Sequence, residues 1–496
     1  MVKPVKNFCA IILKRLKDIL EGIELLEMKG KSDLTISGIC FDSRRISPGK
    51  LFVAVKGTKT DGHKYINSAV EGGCTAVICE NLPDGLQESI TYIRVRDSAR
   101  ALGIAASNFY SAPSGKIMLI GVTGTNGKTT IVTLLHQLFR KMGYAAGLIS
   151  TIQNCIQDEP VTSTHTTPDA VSINDMLSRM VASGCKYCFM EVSSHAISQK
   201  RIEGLNFKGG VFTNITHEHL DYHKDFREYL LTKKRFFDKL PETAFALINI
   251  DDKNGRIMVQ NTEAAVHTYS LKSVSDYKCR VLETHIDGTL MKIGEHEIWI
   301  HLIGEFNAYN ILAVYSCAML LGLKDDKVLA ILSTMKSVNG RAEIIISDRE
   351  VTAIVDYAHT PDALENVLLT INRIIKGDRK IITVVGAGGD RDRMKRPLMG
   401  KVAALNSNKV ILTSDNPRGE VPEEIISEMK KGVDNQLAGK VLSITDRKEA
   451  IKTAFMLAEK GDVILVAGKG HETYQEIRGK KIHFDDKEVI RDIINQ

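Results

Sequence analysis

No apolar stretch in this 496-residue sequence reaches the ~18 residues that a membrane-spanning helix needs. The N-terminal run 8–13 is closed by Lys14 and Arg15 and is shorter than a signal-peptide core. With Leu16, Ile19, Leu20 and Ile23 it reads as an amphipathic helix. Membrane insertion and export are therefore not expected, and a cytoplasmic chain is. The nine cysteines form no framework. Cys185 and Cys188 make a lone CxxC with no second pair near it, so a four-ligand zinc site is not expected. The odd count fits a reducing compartment. No repeat of solenoid period and no low-complexity tract is present. The net charge of +6 is too diffuse for a nucleic-acid surface, although it suits anionic substrates.

The length exceeds what one core can organise and predicts about three or four domains. Apolar content of 43% and charged content of 25% are those of an ordinary globular protein. Residues 1–113 alternate short strands and helices, with strands expected at 36–41, 51–55 and 72–78. A turn, Pro48-Gly49, falls between the first two. Ser111-Ala112-Pro113-Ser114-Gly115 reads as a linker. A second segment, 114–338, opens with a strand at 117–122 and a helix from about 128 to 142 that Gly143 caps. Its strand–helix alternation predicts a parallel sheet covered on both faces. A third segment, 339–496, has short β-branched runs at 381–385, 410–413 and 463–467, each ending in a polar turn. It reads as a second doubly wound α/β domain.

The strongest local signal is Gly121-Val122-Thr123-Gly124-Thr125-Asn126-Gly127-Lys128-Thr129-Thr130, lying between strand and helix. Glycines let backbone N–H groups turn inward around phosphate oxygens, and the helix N-terminus adds partial positive charge. Lys128 is placed to reach the β/γ-phosphates and the Thr129 hydroxyl to hold Mg²⁺. The strict P-loop pattern is broken by Val122, where a first glycine belongs. Alone, the loop implies only a nucleoside triphosphate.

The rest of the chain narrows this. GTNGKTT is followed by Glu191-Val-Ser-Ser-His195 and by Asn214-Ile-Thr-His-Glu-His219-Leu-Asp221. Asp42-Ser43-Arg44, His165-Thr166-Thr167-Pro168-Asp169, Asp356-Tyr-Ala-His359-Thr-Pro361 and three C-terminal turns complete the order. Together these resemble the Mur ligase family over essentially the whole chain. The resemblance implies three α/β domains. They are a small N-terminal UDP-binding domain (1–113), a central P-loop ATPase with a parallel sheet (114–338), and a C-terminal Rossmann-like amino-acid-binding domain (339–496). It implies ATP-dependent amide-bond formation through an acyl phosphate. Within the family the likeness is to the branch that adds meso-diaminopimelate or L-lysine to UDP-MurNAc-L-Ala-D-Glu in peptidoglycan synthesis. A monomer is expected.

Residue by residue, the resemblance assigns Gly124, Thr125, Asn126, Gly127, Lys128, Thr129, Thr130, Asn307, Arg341 and His359 to ATP. Thr129, Glu191, His219 and Lys233 are its magnesium contacts, Lys233 as a carbamate formed with CO₂. Lys128, Lys233 and His219 are the implied catalytic residues. Independently, Phe226, Tyr229, Phe236 and Phe237 share a helical face with Lys233. That setting disfavours an ammonium. Lys234 is the rival. Ser43 is assigned to the UDP moiety, and Thr166, Thr167, Ser193, Gln199 and Arg201 to the muramoyl-dipeptide.

Three turns follow predicted strands: Gly388-Gly389-Asp390-Arg391, Asp415-Asn416-Pro417-Arg418 and Gly468-Lys469-Gly470-His471-Glu472. Ligands of open α/β sheets bind beyond the carboxyl ends of strands, so the three turns are expected to meet. Arg391 and Arg418 would serve a carboxylate, Asp415 and Glu472 an ammonium, with Asn416, Pro417 and Gly468 shaping the pocket. In the family, the DNPR spelling accompanies diaminopimelate rather than lysine. The run Gly386-Ala387-Gly388-Gly389-Asp390-Arg391 fails the dinucleotide fingerprint at its last position. A folylpolyglutamate synthase-like ligase, an archaeal pseudomurein ligase and a nucleotide-gated interaction module remain as alternatives. The Asp-Ser-Arg segment and the DNPR turn argue against the first.

Overall fold

Leu51, Phe52 and Val53 are all fully buried, yet they serve opposite faces of one sheet. Leu51 and Val53 join Ile78, Ile93, Ala101, Ala105 and Phe109 in one core. Phe52 joins Val77, Tyr92, Ile66 and Ala69 in another. Side chains alternate along a strand, so a strand covered on both faces is apolar throughout. The computed structural model describes residues 12–57, 60–161, 166–216, 218, 222–375 and 377–495. The chain forms two compact units. One comprises Met1–Gly121, Met142–Gly210 and Lys239–Ala244; the other comprises Val122–Lys141, Val211–Asp238 and Phe245–Gln496.

In the first unit a five-stranded sheet has the order Leu25–Lys29, Thr91–Val95, Ala76–Cys79, Lys50–Val53, Gly38–Cys40. All its neighbours are parallel except Leu25–Lys29, which is antiparallel to Thr91–Val95. The strand expected at 36–41 is divided. Thr35–Ile36 pairs with Lys14–Arg15, and only Gly38–Cys40 enters the larger sheet. This pairing also overturns the expected N-terminal helix. Lys14–Arg15 is extended, and the helix covers only Leu16–Ile19. The backbone N–H of Leu16 donates to Leu34 O, and Leu16 and Ile19 are drawn into the core, so tertiary contacts override the helical period. Residues 8–11 of that expected helix lie outside the described residues. The same unit holds Ala146–Ile149 parallel to Tyr187–Glu191, with Asn154–Ile156 and Glu159–Val161 added antiparallel.

The second unit contains the helix Lys128–Lys141, ending one residue before the expected boundary, with Gly143 at φ +86° just beyond it. Phe245–Asn249, Ala265–Ser270 and Tyr277–His285 pair in parallel. Gly288–Ile293 and His296–Ile300 then continue antiparallel. The sheet is therefore mixed rather than purely parallel. The turns that join these last strands have two central residues, Ile286-Asp287 and Gly294-Glu295, and so short a link can only reverse the chain.

The C-terminal sheet has the order Glu343–Ile346, Thr352–Asp356, Val463–Ala467, Ile381–Val385, Lys409–Leu412, Val441–Ser443. Only its first strand is antiparallel. Ile354, Val385, Leu412 and Leu465 pack on helix residues Leu364, Leu368 and Met399. Val355, Val384, Ile411 and Val466 pack on Ile451, Ala454 and Ile490 on the other face. This is the doubly wound arrangement that the alternating runs predicted.

Candidate active site

Strand Met118–Thr123 delivers the chain into the glycine-rich loop, and helix Lys128–Lys141 leaves it. Gly124 has φ +152°, and a Cβ there would collide with Thr213 Oγ1. Gly127 has φ +90°, and its added Cβ would meet Asn310 Oδ1 at 2.5 Å. Both glycines are thus fixed by backbone angle and by close approach. The loop is tied to the segment after Gly209–Phe212. Thr125 N donates to Asn214 O (2.8 Å), Asn126 N to Asn214 Oδ1 (2.9 Å), and Thr213 Oγ1 to Asn126 O (2.6 Å). Lys128 Nζ donates to Gly124 O (2.8 Å) and Thr125 O (2.7 Å).

The helix Phe226–Asp238 turns Lys233 toward this loop. Lys233 is 1% exposed. Its Nζ donates to Gly124 O at 2.8 Å and lies 4.7 Å from the centroid of the Tyr229 ring. The Tyr229 hydroxyl lies 3.1 Å from Thr125 Oγ1. Burial, then the nearby Lys128 charge, push the Lys233 amine well below its ordinary range, with Glu218 opposing them. Lys234 is also buried, but its Nζ pairs with Asp238 one turn along its own helix.

Among the described residues, Arg341 alone of the three other expected ATP contacts touches the loop segment directly. Arg341 Nη2 donates to Thr129 Oγ1 at 3.3 Å, and its guanidinium stacks 4.4 Å from the Tyr357 ring centroid. His359 Nε2 stands 3.5 Å from Glu218 Oε1, while Lys395 Nζ donates to His359 O at 2.9 Å. Asn307 is buried and reaches the loop indirectly. Its Oδ1 accepts from Asn310 Nδ2, and Asn310 abuts Gly127.

In the first unit, Thr166, Thr167, Glu191, Ser193, Gln199 and Arg201 form one hydrogen-bonded cluster. Thr167 Oγ1 donates to Glu191 O (2.8 Å) and accepts from Ser193 N (3.1 Å). Arg201 Nη1 donates to Thr167 O (2.7 Å), and its Nε and Nη2 both donate to Gln199 Oε1. Thr151 links the buried Glu191 carboxylate, through its N–H, to the Thr166 hydroxyl. Ser43 stands elsewhere, in the 3-10 turn Ser43–Arg45, where Asp42 caps Arg44 N and pairs with the Arg44 guanidinium. His219, Asp221 and His165 lie outside the described residues.

The three C-terminal turns do meet. A Cβ on Gly389 would strike Pro417 O, and one on Gly386 would meet Thr413 O at 2.5 Å. Arg418, at φ +50°, donates from Nη1 to Gly389 O (2.8 Å), and its Nε lies 3.3 Å from Glu476 Oε2. Gly388 sits between Arg418 and the exposed Arg391. Asn416 Nδ2 donates to Glu472 Oε2 at 2.7 Å, and Gly468 packs on Asp415 Oδ2. Two guanidiniums and two carboxylates therefore share the mouth of one sheet.

The chain matches three family models: the Mur ligase family catalytic domain at 35–110, the Mur ligase middle domain at 122–318, and the Mur ligase glutamate ligase domain at 340–470. It is 57% identical over 481 residues to a Bacteroides fragilis protein named UDP-N-acetylmuramoyl-L-alanyl-D-glutamate--2,6-diaminopimelate ligase. That alignment covers 97% of this chain and 99% of the relative. A Clostridioides difficile protein of the same name is 40% identical over 489 residues, covering 97% and 100%. The chain belongs to the Mur ligase family. Its fold resembles a solved ligase of that same name with TM-score 0.69 and 32% identity, covering 97% of this chain and 99% of the other. Likeness to a Mycobacterium tuberculosis folylpolyglutamate synthase complexed with ADP and AMPPCP is a likeness of fold: TM-score 0.61 at 18% identity, covering 80% and 95%.

This Mur ligase also places groups at the site that the motif reading passed over. Glu218, Lys395 and Tyr357 surround His359 and Arg341. Lys469 was read only as a turn residue between two glycines, but its side chain is fully buried. The available signal was its place two residues beyond the all-buried strand Val463–Ala467. No helix among the described residues is long and apolar enough to cross a membrane.

Proposed function

We propose that this Mur ligase joins meso-diaminopimelate to UDP-MurNAc-L-Ala-D-Glu at the expense of ATP. The observation that carries this reading is Arg418, held between Gly389 O and Glu476 in the turn that also carries Asp415, with Glu472 bonded to Asn416 of the same turn. A planar guanidinium pairs a carboxylate through two parallel bonds, and the neighbouring carboxylates suit an ammonium. The far end of diaminopimelate carries both groups, whereas lysine carries only the ammonium. The names of the relatives point the same way.

The division of labour follows the three segments 1–113, 114–338 and 339–496, for the UDP carrier, ATP and the amino acid respectively. Loop N–H groups, Thr130 and Lys128 hold the β- and γ-phosphates. Arg341, stacked on Tyr357, adds a second cation beside Thr129, and Asn307 and His359 border the nucleotide. Ser43 serves the UDP moiety, and the Thr166–Arg201 cluster positions the muramoyl-dipeptide. The carrier carboxylate attacks the γ-phosphorus and ADP leaves, giving an acyl phosphate. The amine of the amino acid then adds to the acyl carbon. Collapse of the tetrahedral intermediate expels phosphate and leaves the amide. Both steps gather negative charge, so fixed cations and dipoles lower their barriers.

In the second unit the Thr129 hydroxyl and the oxygens of a carbamate on Lys233 suit the hard-ligand preference of Mg²⁺, and the Glu191 carboxylate of the first unit is an oxygen donor of the same kind; His219 is the remaining expected contact. When bound, the metal neutralises phosphate charge. The carbamate forms when the neutral Lys233 amine adds to CO₂ and releases a proton. Burial of Lys233 against Tyr229 favours the neutral amine that this needs. Phosphate release that requires UDP-MurNAc-L-Ala-D-Glu and meso-diaminopimelate together tests the reading. Release independent of the amino acid would favour a nucleotide-gated module instead.

A further inference from the structure

Lys469 lies in the turn between Gly468 and Gly470, and its ammonium is wholly inside the protein. It donates to Tyr474 O, to Glu472 Oε2 at 3.2 Å and to Asn416 Oδ1 at 3.4 Å. Asp415 Oδ1 stands 3.6 Å away, is itself buried, and has no hydrogen-bond partner among the described residues. Removing an ammonium from water is unfavourable unless charge and hydrogen-bond partners replace the solvent, and here both do. The two carboxylates that the proposed reading assigns to the incoming ammonium thus already share one internal cation. Asp415 and Glu472 carry two negative charges and Lys469 one positive, leaving one net negative charge. One ammonium balances that remainder. Glu476 pairs with Arg418, on the side of the site that faces the carboxylate.

We propose that Lys469 is a positioning residue that sets the amino-acid selectivity of the site. It holds Glu472 and Asp415 at a single net negative charge, so the site takes a ligand end bearing one ammonium and one carboxylate over an end bearing an ammonium alone. This rests on the diaminopimelate reading. Without the lysine, a second uncompensated negative charge faces the ligand carboxylate. A simple cation is then the better match, because charge interactions are strong at close range away from water.

The test is steady-state phosphate release by the full-length protein, with meso-diaminopimelate and with L-lysine, for wild type, Lys469→Gln and Lys469→Arg. Gln keeps a donor for Tyr474 O and removes the charge. For Lys469→Gln, KM for meso-diaminopimelate should rise about tenfold or more while kcat changes by no more than roughly threefold. The kcat/KM ratio of meso-diaminopimelate to L-lysine should fall by about tenfold or more. Lys469→Arg, which keeps the charge, should hold that ratio near the wild-type value. Equal losses with both amino acids, or an unchanged ratio in Lys469→Gln, would overturn the proposal. Should Lys469→Gln fail to fold, combining it with Glu472→Gln removes the unpaired carboxylate and restores a single net negative charge. The ratio should then stay within about threefold of wild type, and a fall of about tenfold or more there overturns the proposal. A wild-type protein that releases no phosphate with meso-diaminopimelate fails the parent reading, a result distinct from any of these.

Discussion

Lys233 and Gly124 lie 109 residues apart, yet the lysine Nζ donates directly to the glycine carbonyl oxygen at 2.8 Å. The contact fastens the aromatic face of helix Phe226–Asp238 to the phosphate loop. The same lysine is the one for which a carbamate is proposed. Lys233→Ala should therefore abolish phosphate release, and added bicarbonate should not restore it. Intact-mass measurement under CO₂ should show an increment of one CO₂ on the wild type that is absent from the variant. Near-wild-type turnover by Lys233→Ala would remove this role.

Gly124 has a second constraint. Its φ of +152° and the proximity of Thr213 leave no room for a β-carbon. Gly124→Ala should displace Thr213 or the loop itself and weaken ATP binding by roughly tenfold or more, about 1.4 kcal/mol. Calorimetric titration with a non-hydrolysable ATP analogue checks this. Amino-acid binding at the C-terminal turns should be unaffected.

Arg447 and Asp486 form a fully buried ion pair, with Nε to Oδ1 at 2.7 Å and Nη2 to Oδ2 at 2.8 Å, and the same Nη2 also donates to Ala467 O. It anchors the strand end from which the Gly468–Glu472 turn departs. Removing one partner leaves a buried unpaired charge, a loss of about 3–5 kcal/mol. Asp486→Ala should therefore lower the melting temperature sharply. Replacing both residues with apolar side chains should recover much of that loss.

His471 is held near pKa about 3 by burial first and then by the Arg341 charge, and its ring centroid lies 4.9 Å from that of Tyr357 with the two rings tilted by 45°. Its folded value lies below the usual histidine value, so between the two the unfolded chain binds the extra proton. Stability therefore falls as pH drops from about 6.5 toward 3, by at most about 1.4 kcal/mol per pH unit for this group. His471→Phe keeps an aromatic ring and removes the proton uptake. The loss of melting temperature between pH 7 and pH 5 should be smaller in that variant than in wild type.

Much of this was legible before the fold was known. The phosphate loop, the face shared by Lys233 and Tyr229, and the meeting of three strand-end turns all follow from short-range patterns. A period of 3.6 marks a helix face, and a strand end marks a ligand edge. The N-terminal helix was misread because Lys14 and Arg15 pair with residues about twenty positions on, which no local period encodes. The mixed sheet of the second unit departs from the parallel expectation even though Asp287-Gly288, a strong hairpin spelling, marks its first reversal; the strand–helix alternation of the segment does not carry that local turn signal. Lys469 was missed for a different reason. A lysine between glycines looks solvated, and only the tertiary grouping of Asp415, Asn416 and Glu472 reveals that it is enclosed.

The most direct measurement is phosphate release from ATP with UDP-MurNAc-L-Ala-D-Glu, with meso-diaminopimelate or L-lysine as the second substrate, repeated with Arg418→Ala. Release should depend on both carrier and amino acid and should favour meso-diaminopimelate. Arg418→Ala should weaken that preference by about tenfold or more, because a carboxylate loses its bidentate partner. A wild-type preference for L-lysine, or an Arg418→Ala variant with the preference unchanged, would contradict the account.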